Sequence, residues 1–212
     1  MGELYFYSDQ IAESPGNRRL DDRLFANKQP ESMKIGYLPS TEDPERLYFK
    51  QKESYYQQYG VTDLLFFDLY SDFDASKMEE LLNCDVIHLS AGNPLYFRRA
   101  LRNRAMVEPL RHYYVNGGTI VGVSGGAVQL GKTAKLFELF IGDEGQDRLD
   151  TLDLADFEFL PHYNRWDEKY KRAVVQHARA SKTKVLAGSD GDGVIIDSDG
   201  VHFIGDIVEI LD

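Results

Sequence analysis

A mainly parallel β-sheet with helices packed on both sides is the fold class predicted for this α/β chain of 212 residues. Five short segments are apolar and almost unbroken, as strands buried on both faces are. These segments alternate with stretches of helical length, which implies βαβ crossovers between parallel neighbours. A run of short apolar segments joined by Asp-Gly turns near the C-terminus adds an antiparallel edge.

The elements follow in order. ELYFYSD (3–9), KIGYLPS (34–40), LLFFDLY (64–70), DVIHLSA (85–91) and TIVGVSG (119–125) read as the buried strands. Helices are expected from about Pro44 to Tyr59, from Ala75 to Leu82, and as one or two segments from Pro94 to Asn116. In the last of these, Leu95, Leu101, Met106, Leu110 and Tyr114 recur on a loosely helical face. Pro44 behind Asp43 and Pro94 behind Asn93 each place a proline at the first helical position after a capping side chain. From Thr133 to Asp156 the pattern loosens into an acid-rich stretch (GDEGQDRLDTLDLAD), read as a mobile excursion or a hairpin-bearing insertion. Order returns with FEFLPHY (157–163), a helix from about Asp167 to Ala180, and the short segments KVLAGS, GVIIDS and VHFIGD of the antiparallel edge.

Composition bounds what such a chain does. With 42% hydrophobic and 12% aromatic residues it can bury one sizeable core, so residues 1–212 are expected to form a single domain. A net charge of -11 works against a phosphate-binding surface, and only RRALRNR (98–104) concentrates basic residues, so no nucleic-acid partner is expected. No segment of about 18 apolar residues could span a bilayer. The start MGELYFYSDQ lacks a basic, apolar leader, and Phe6 stands where a myristoylation signal wants Ser or Thr. The single cysteine, Cys84, forms no internal disulfide and fits a reducing compartment. A soluble cytoplasmic protein without membrane contact is the expectation; monomer and homodimer stay open.

In an open parallel sheet, reactive groups collect beyond the carboxyl ends of the strands. Three turns fall there: SAGNP (90–94), GVSGG (122–126) and PHYN (161–164). The second is a Gly-x-Ser-x-Gly pattern, the signature of a nucleophile elbow, whose glycines let strand and helix approach closely. By chance a chain of this length contains such a match roughly one time in fifteen, so its context decides. Ser124 follows the apolar TIVGV and precedes AVQLG, which is small enough to open a helix on that strand. A helix start there aims the N–H of Gly125 at an oxyanion beside Ser124. A tight turn without chemistry would carry the same four-residue spacing.

A serine hydroxyl needs a base at neutral pH. Of the five histidines, His88 lies within a strand, His112 and His177 within helices and His202 in a late strand, all read as structural or surface residues. His162 ends the strand FEFLPHY and should emerge at the rim beside Ser124. Asp190 and Asp192, in GSDGDGVII, are the acids at a strand end that could orient its imidazole.

The succession IHLSAGNPLYFRRAL, GGTIVGVSGGAV, LPHYN and a short strand with DGV resembles the dipeptidase E (alpha-aspartyl dipeptidase) family of serine peptidases, and more distantly cyanophycinase. The likeness runs from about residue 34 to the end. It implies a flavodoxin-like three-layer sandwich related to the class I glutamine amidotransferases, carrying a Ser-His-Asp or Ser-His-Glu triad. By the same resemblance Ser124 matches the nucleophile, His162 the base and Asp192, the acid before Gly193, the carboxylate, with Asp190 two residues away. Gly92 and Gly125 match the oxyanion-hole turns, and Asn93 the following asparagine, which the resemblance makes a candidate for substrate binding. The order Ser, His, acid also differs from that of an ordinary α/β-hydrolase.

Two departures leave the reactive groups intact: Gly125 stands where the family usually has Ala, and Ala91 where its turn begins with Gly. A third concerns specificity. The family holds an acidic substrate side chain with an arginine beyond the histidine, but Arg165 and Arg172 do not line up with it, Arg165 being the nearer candidate for substrate binding. The implied reaction is acyl transfer from a short peptide or small acyl substrate through an acyl-enzyme, with no cofactor and no metal. A noncatalytic binding or regulatory member of the fold, and an amidase or esterase acting on a small metabolite, are the alternatives.

Overall fold

The computed structural model describes residues 1–11, 14–141 and 150–211. Its main sheet has seven strands: β1 (Glu3–Tyr7), β2 (Lys34–Leu38), β3 (Asp63–Phe66), β4 (Val86–Leu89), β5 (Thr119–Val123), β8 (Gly193–Asp197) and β9 (Gly200–Ile204), in the order β3-β2-β4-β5-β1-β8-β9. The five from β3 to β1 are mutually parallel, whereas β8 runs antiparallel to β1 and β9 to β8. The parallel part has the 2-1-3-4-5 arrangement of a flavodoxin-like sheet, with the chain's first strand in the fifth place.

Connection direction explains the layers. The chain steps one way from β1 to β2 to β3 and the other way from β3 to β4 to β5, and right-handed crossovers therefore send successive helices to opposite faces. Helices α1 (Pro15–Leu24) and α2 (Leu47–Gln57) cover one face, where Leu20, Leu24, Tyr55 and Tyr56 pack on Tyr5, Tyr7, Ile35, Val121 and Ile195. Helices α3 (Met78–Leu82), α4 (Pro94–Asn103), α5 (Val107–Val115) and α6 (Gly125–Leu130) cover the other, where Leu81, Phe97, Leu110 and Leu130 meet Leu4, Phe6, Ile87 and Ile120. The alternation of Leu4 and Phe6 with Tyr5 and Tyr7 is the period of two of a strand buried on both faces. A three-layer α/β sandwich with an antiparallel C-terminal edge results.

Several boundaries differ from those read in the sequence. Pro44 lies in a turn before α2, because the Asp43 carboxylate accepts hydrogen bonds from the N–H groups of Leu47 (2.7 Å) and Phe49 (3.0 Å) and so starts the helix at Leu47. The segment from Pro94 to Asn116 is two helices, broken where Ala105 takes φ of 54°. LLFFDLY yields only the four-residue β3, an edge strand with partly exposed residues.

KVLAGS also belongs elsewhere than the antiparallel edge. A second sheet joins β6 (Glu158–Leu160), β7 (Val185–Ala187) and β10 (Val208–Ile210) in the order β10-β7-β6, with β6 and β7 parallel and linked by α8 (Glu168–Ser181). Asp167 caps α8 by accepting the Tyr170 N–H at 2.7 Å. The small sheet is welded to the main one by aromatic contact, the Phe6 ring lying 5.1 Å from Phe157 and 5.5 Å from Phe159. Of the acid-rich stretch, α7 (Glu138–Ile141) and a bridge between Thr133 and Asp150 are described, whereas residues 142–149, the centre of the expected excursion, lie outside the described residues. Among the described residues no helix is long and apolar enough to cross a membrane.

Candidate active site

A cavity opens at the carboxyl edge of the parallel strands, lined by residues that follow β1, β2, β4 and β5. Strands β1 and β5 run in parallel register, Tyr7 opposite Val123, so Ser8 and Ser124 leave the sheet side by side. The Ser124 N–H donates to the Tyr7 carbonyl at 2.9 Å, continuing the ladder one residue beyond the strand. The chain then turns sharply into α6, and Ser124 takes φ of 50° and ψ of -114°, a conformation that L-residues hold only where the surroundings impose it. Those surroundings are backbone: a Cβ on Gly126 would lie 2.1 Å from the Leu89 carbonyl oxygen, and one on Gly122 would lie 2.6 Å from the Ala127 Cα. Gly126→Ala is accordingly expected to destabilise the fold by about 2 kcal/mol or more, read as a lowered urea midpoint; an unchanged midpoint would show that the elbow can relax.

The glycine at 125, where the resembling family carries alanine, has a local cause. A Cβ there would meet the Gly92 carbonyl oxygen at 2.0 Å, so the turn after β4 sits directly against the elbow. That turn is held by Ser40, whose hydroxyl donates to the Ala91 carbonyl, and Gly92 adopts φ of 149°. Among the described residues neither the Gly92 N–H nor the Gly125 N–H is engaged by a protein acceptor.

The small sheet delivers the base and the acid. Leu160 of β6 pairs with Ala187 of β7, and the two parallel strands release their chains together. His162, in the left-handed region with φ of 60°, presents Nε2 to the Ser124 Oγ at 2.9 Å. Its backbone N–H donates to the Ser8 hydroxyl oxygen at 2.7 Å, and that hydroxyl donates to the Gly188 carbonyl at 3.0 Å, so a buried serine at the end of β1 ties both partners to the main sheet.

The acid against His162 is Asp190, not Asp192. Asp190 Oδ1 accepts from Nδ1 at 2.7 Å, while its Oδ2 accepts from Arg165 Nε at 2.7 Å and Asn164 Nδ2 at 3.1 Å. The reason is where the chain changes sheets. Asp190 lies on the β7 side of the turn, whereas the Asp192 carbonyl already accepts the Ser8 N–H as the entry to β8. The Asp192 carboxylate packs against Gly205, 3.9 Å from the exposed Arg19 guanidinium. Their electrostatics diverge accordingly. Burial opposes ionisation of Asp190, but hydrogen bonds from His162, Arg165 and Asn164 outweigh it and hold its carboxyl below the usual range. Burial pushes the Asp192 carboxyl up.

Asn93 and Arg165, read as substrate contacts, are engaged elsewhere. Asn93 Oδ1 caps α4, accepting from the N–H groups of Leu95 (2.9 Å) and Tyr96 (3.2 Å), and Arg165 braces Asp190; neither lines the cavity beside Ser124. His88 is a buried core residue, its Nδ1 sharing a 2.8 Å hydrogen bond with the Tyr56 hydroxyl.

That cavity holds 410 Å³ and is bounded by residues following β1 (Asp9, Gln10), β2 (Ser40, Thr41) and β4 (Gly92), by Lys52 of α2, and by Ser124 and His162. Its size falls in the range of small-molecule pockets. Burial lowers the Lys52 ammonium pKa to about 8, and its Nζ donates to the Gln10 backbone oxygen (3.0 Å) and Oε1 (2.9 Å). Ser8, Asp9 and Lys52 escaped sequence reading; the first two stand at a strand's carboxyl end and were open to the rule that located Ser124. A larger hollow of 720 Å³ at the amino ends of the strands borders Cys84 and His112. Burial raises that thiol to about 12, which leaves it a poor nucleophile.

The pattern that defines peptidase family S51 matches residues 7–204. The uncharacterized peptidase YgaJ of Bacillus subtilis (strain 168) is 23% identical over 196 residues, covering 91% of this chain and 78% of that protein. Among solved structures, a candidate peptidase E of Listeria monocytogenes EGD-e superposes with a TM-score of 0.74 at 16% identity, covering 100% of this chain and 99% of that one. A peptidase from an acI-B1 Actinobacterium gives 0.72 at 16% identity, covering 100% and 91%. These two likenesses carry the fold, and the match over residues 7–204 carries the family: the chain belongs to peptidase family S51 and is a serine-type peptidase.

Proposed function

We propose that this peptidase hydrolyses short peptides through a Ser124-His162-Asp190 triad and an acyl-enzyme. The observation that carries the proposal is the unbroken hydrogen-bond chain from Ser124 Oγ to His162 Nε2 (2.9 Å) and from Nδ1 to Asp190 (2.7 Å). An ionised Asp190 accepts only, so Nδ1 bears the proton and Nε2 is left as the acceptor for the serine hydroxyl. Attack by Oγ on the scissile carbonyl passes the Ser124 hydroxyl proton to His162 Nε2, and the resulting imidazolium is stabilised by Asp190. The negative oxygen of the tetrahedral intermediate is met by the N–H groups of Gly125 and Gly92. His162 then protonates the leaving amine, the C–N bond breaks, and water, deprotonated by the same histidine, releases the acid and restores Ser124. A cavity of 410 Å³ beside Ser124 and His162 supports a small acyl side. The buried, unpaired Cys84 is consistent with a reducing, cytoplasmic setting.

The test is mass-spectrometric hydrolysis of a dipeptide and tripeptide library, Asp-containing members included, together with labelling by a fluorophosphonate. Cleavage of short peptides and one label per chain, on Ser124, is the expected result. A folded protein that labels at Ser124 but cleaves only esters or non-peptide amides would overturn the peptide assignment, and one that neither labels nor cleaves would overturn the triad.

A further inference from the structure

We propose that two copies of this chain associate edge to edge through β9, pairing antiparallel about a two-fold axis at His202 so that their main sheets become one. Strands β1 and β8 stand between β9 and the strand that carries Ser124, so the contact is independent of the reaction assigned above.

Hydrogen bonding across the sheet leaves the outer side of β9 open. The Ser8 N–H donates to the Asp192 carbonyl at 3.0 Å, and the same register sets Phe6 opposite Val194 and Leu4 opposite Ile196. In an antiparallel ladder, residues turned toward one neighbour alternate with those turned toward the other. Asp192, Val194 and Ile196 are thus turned to β1, and Gly193, Ile195 and Asp197 to their partners Ile204, His202 and Gly200 on β9. The N–H and C=O groups of Val201 and Phe203 are left pointing outward, where among the described residues no further strand pairs with them.

The side chains carry the same message. Val201 stands opposite Ile196 and Phe203 opposite the fully buried Val194, so the two prolong a core face, yet they are 53% and 42% exposed. With Val208 and Leu211 they concentrate exposed large apolar groups in residues 201–211.

Charge selects the partner. Two copies that each carry a net charge of -11 repel over most of their surface. Strand β9 reads GVHFI and holds no acid, lysine, arginine or proline, the residues by which exposed edges resist pairing. The opposite edge, β3, is guarded: Asp63 lies 3.8 Å from the Lys34 ammonium, and the Arg46 guanidinium sits 4.8 Å over the Phe66 ring. An axis at His202 sets Val201 against the partner's Phe203 and Phe203 against the partner's Val201. Each of these aliphatic–aromatic pairs also exchanges both of its outward backbone bonds. The same axis brings Asp199 toward the partner's Asp206, a repulsion that salt screens. A contact of this kind is smaller than the standard interface of about 1,600 Å² and suits a dimer of micromolar affinity.

Sedimentation velocity of the full chain from about 5 to 300 μM in about 0.3 M NaCl is the test, the range spanning a micromolar Kd. The wild type is expected to shift from monomer to dimer with concentration. Phe203→Lys, at an exposed site, should raise Kd by about tenfold or more with an unchanged urea midpoint. On oxidation His202→Cys should give disulfide-linked dimers, because directly opposed residues that do not exchange backbone bonds have Cα atoms about 4.5 Å apart, within disulfide reach. Val201→Cys, set against the partner's Phe203, should not. A wild type that stays monomeric to the highest concentration would overturn the proposal without any variant. A dimer that Phe203→Lys leaves intact, or one in which Val201→Cys links as readily as His202→Cys, would overturn the pairing through β9.

Discussion

Ser124→Ala is expected to lower kcat for peptide hydrolysis by about a million-fold, to the residual rate that binding and oxyanion contacts sustain alone. The magnitude follows from the loss of the hydroxyl that His162 Nε2 contacts at 2.9 Å. Alanine can occupy the same backbone conformation at no greater steric cost than serine, so folding should be preserved and the thermal midpoint should move by only a few degrees. Ser124→Gly separates the two effects further. Glycine relieves the strained φ of 50° and ψ of -114°, and should stabilise the protein by about 1 kcal/mol while being equally inactive. Initial rates on a cleaved peptide and a urea titration of the three proteins decide the matter. More than one percent of wild-type activity in either variant would mean that another group or a bound water performs the attack.

The same strain explains why this centre was legible from sequence. TIVGV is fully buried, and the small residues after it have no other way to pass Leu89 and Gly92. A short apolar run followed by Gly-x-Ser-x-Gly therefore encodes strand, turn and helix within a dozen residues. The alternation of α and β segments was legible for a similar reason, each strand of the parallel region being an apolar run with its own helix.

What escaped reading depends on contacts distant in sequence. β6, β7 and β10 have three residues each, too few to show a period, and their pairing joins segments separated by a helix and by the whole β8–β9 hairpin. KVLAGS consequently looked like part of the antiparallel edge. The same missing sheet hides the choice between Asp190 and Asp192, because alignment of acids before a glycine cannot show on which side of the change of sheet each one falls. Asp43 and Pro44 illustrate a local form of the problem. Either could begin a helix, and the carboxylate's bonds to Leu47 and Phe49 decided it. The role of Ser8 is a side-chain bridge across 154 residues of chain to His162, for which no short motif exists.

Asp190→Asn is expected to lower kcat by about a thousand- to ten-thousand-fold, whereas Asp192→Asn should lower it less than about tenfold. An asparagine at 190 can turn its amide toward Nδ1 and force the proton onto Nε2, where it opposes rather than accepts the serine hydroxyl. It also leaves Arg165 without its 2.7 Å carboxylate partner. At 192 no such consequence exists, since that carboxylate faces Gly205 and Arg19. Stability separates the pair in the opposite sense. The Asp190 carboxyl is held below its ordinary pKa, so its contribution to folding is present above the unfolded value and is lost as pH falls through the lower folded one. The Asp192 carboxyl is raised by burial, so its charge opposes folding above the raised value and this penalty fades on acidification. Asp192→Asn should therefore be as stable as the wild type or more so at pH 7, with the difference closing toward pH 4, while Asp190→Asn should be less stable at pH 7. Urea midpoints across that range, set beside kcat at pH 7, give each aspartate two independent readings. A large loss of kcat at 192 with little at 190 would return the carboxylate role to Asp192 and require the turn at Gly191 to rearrange when substrate binds.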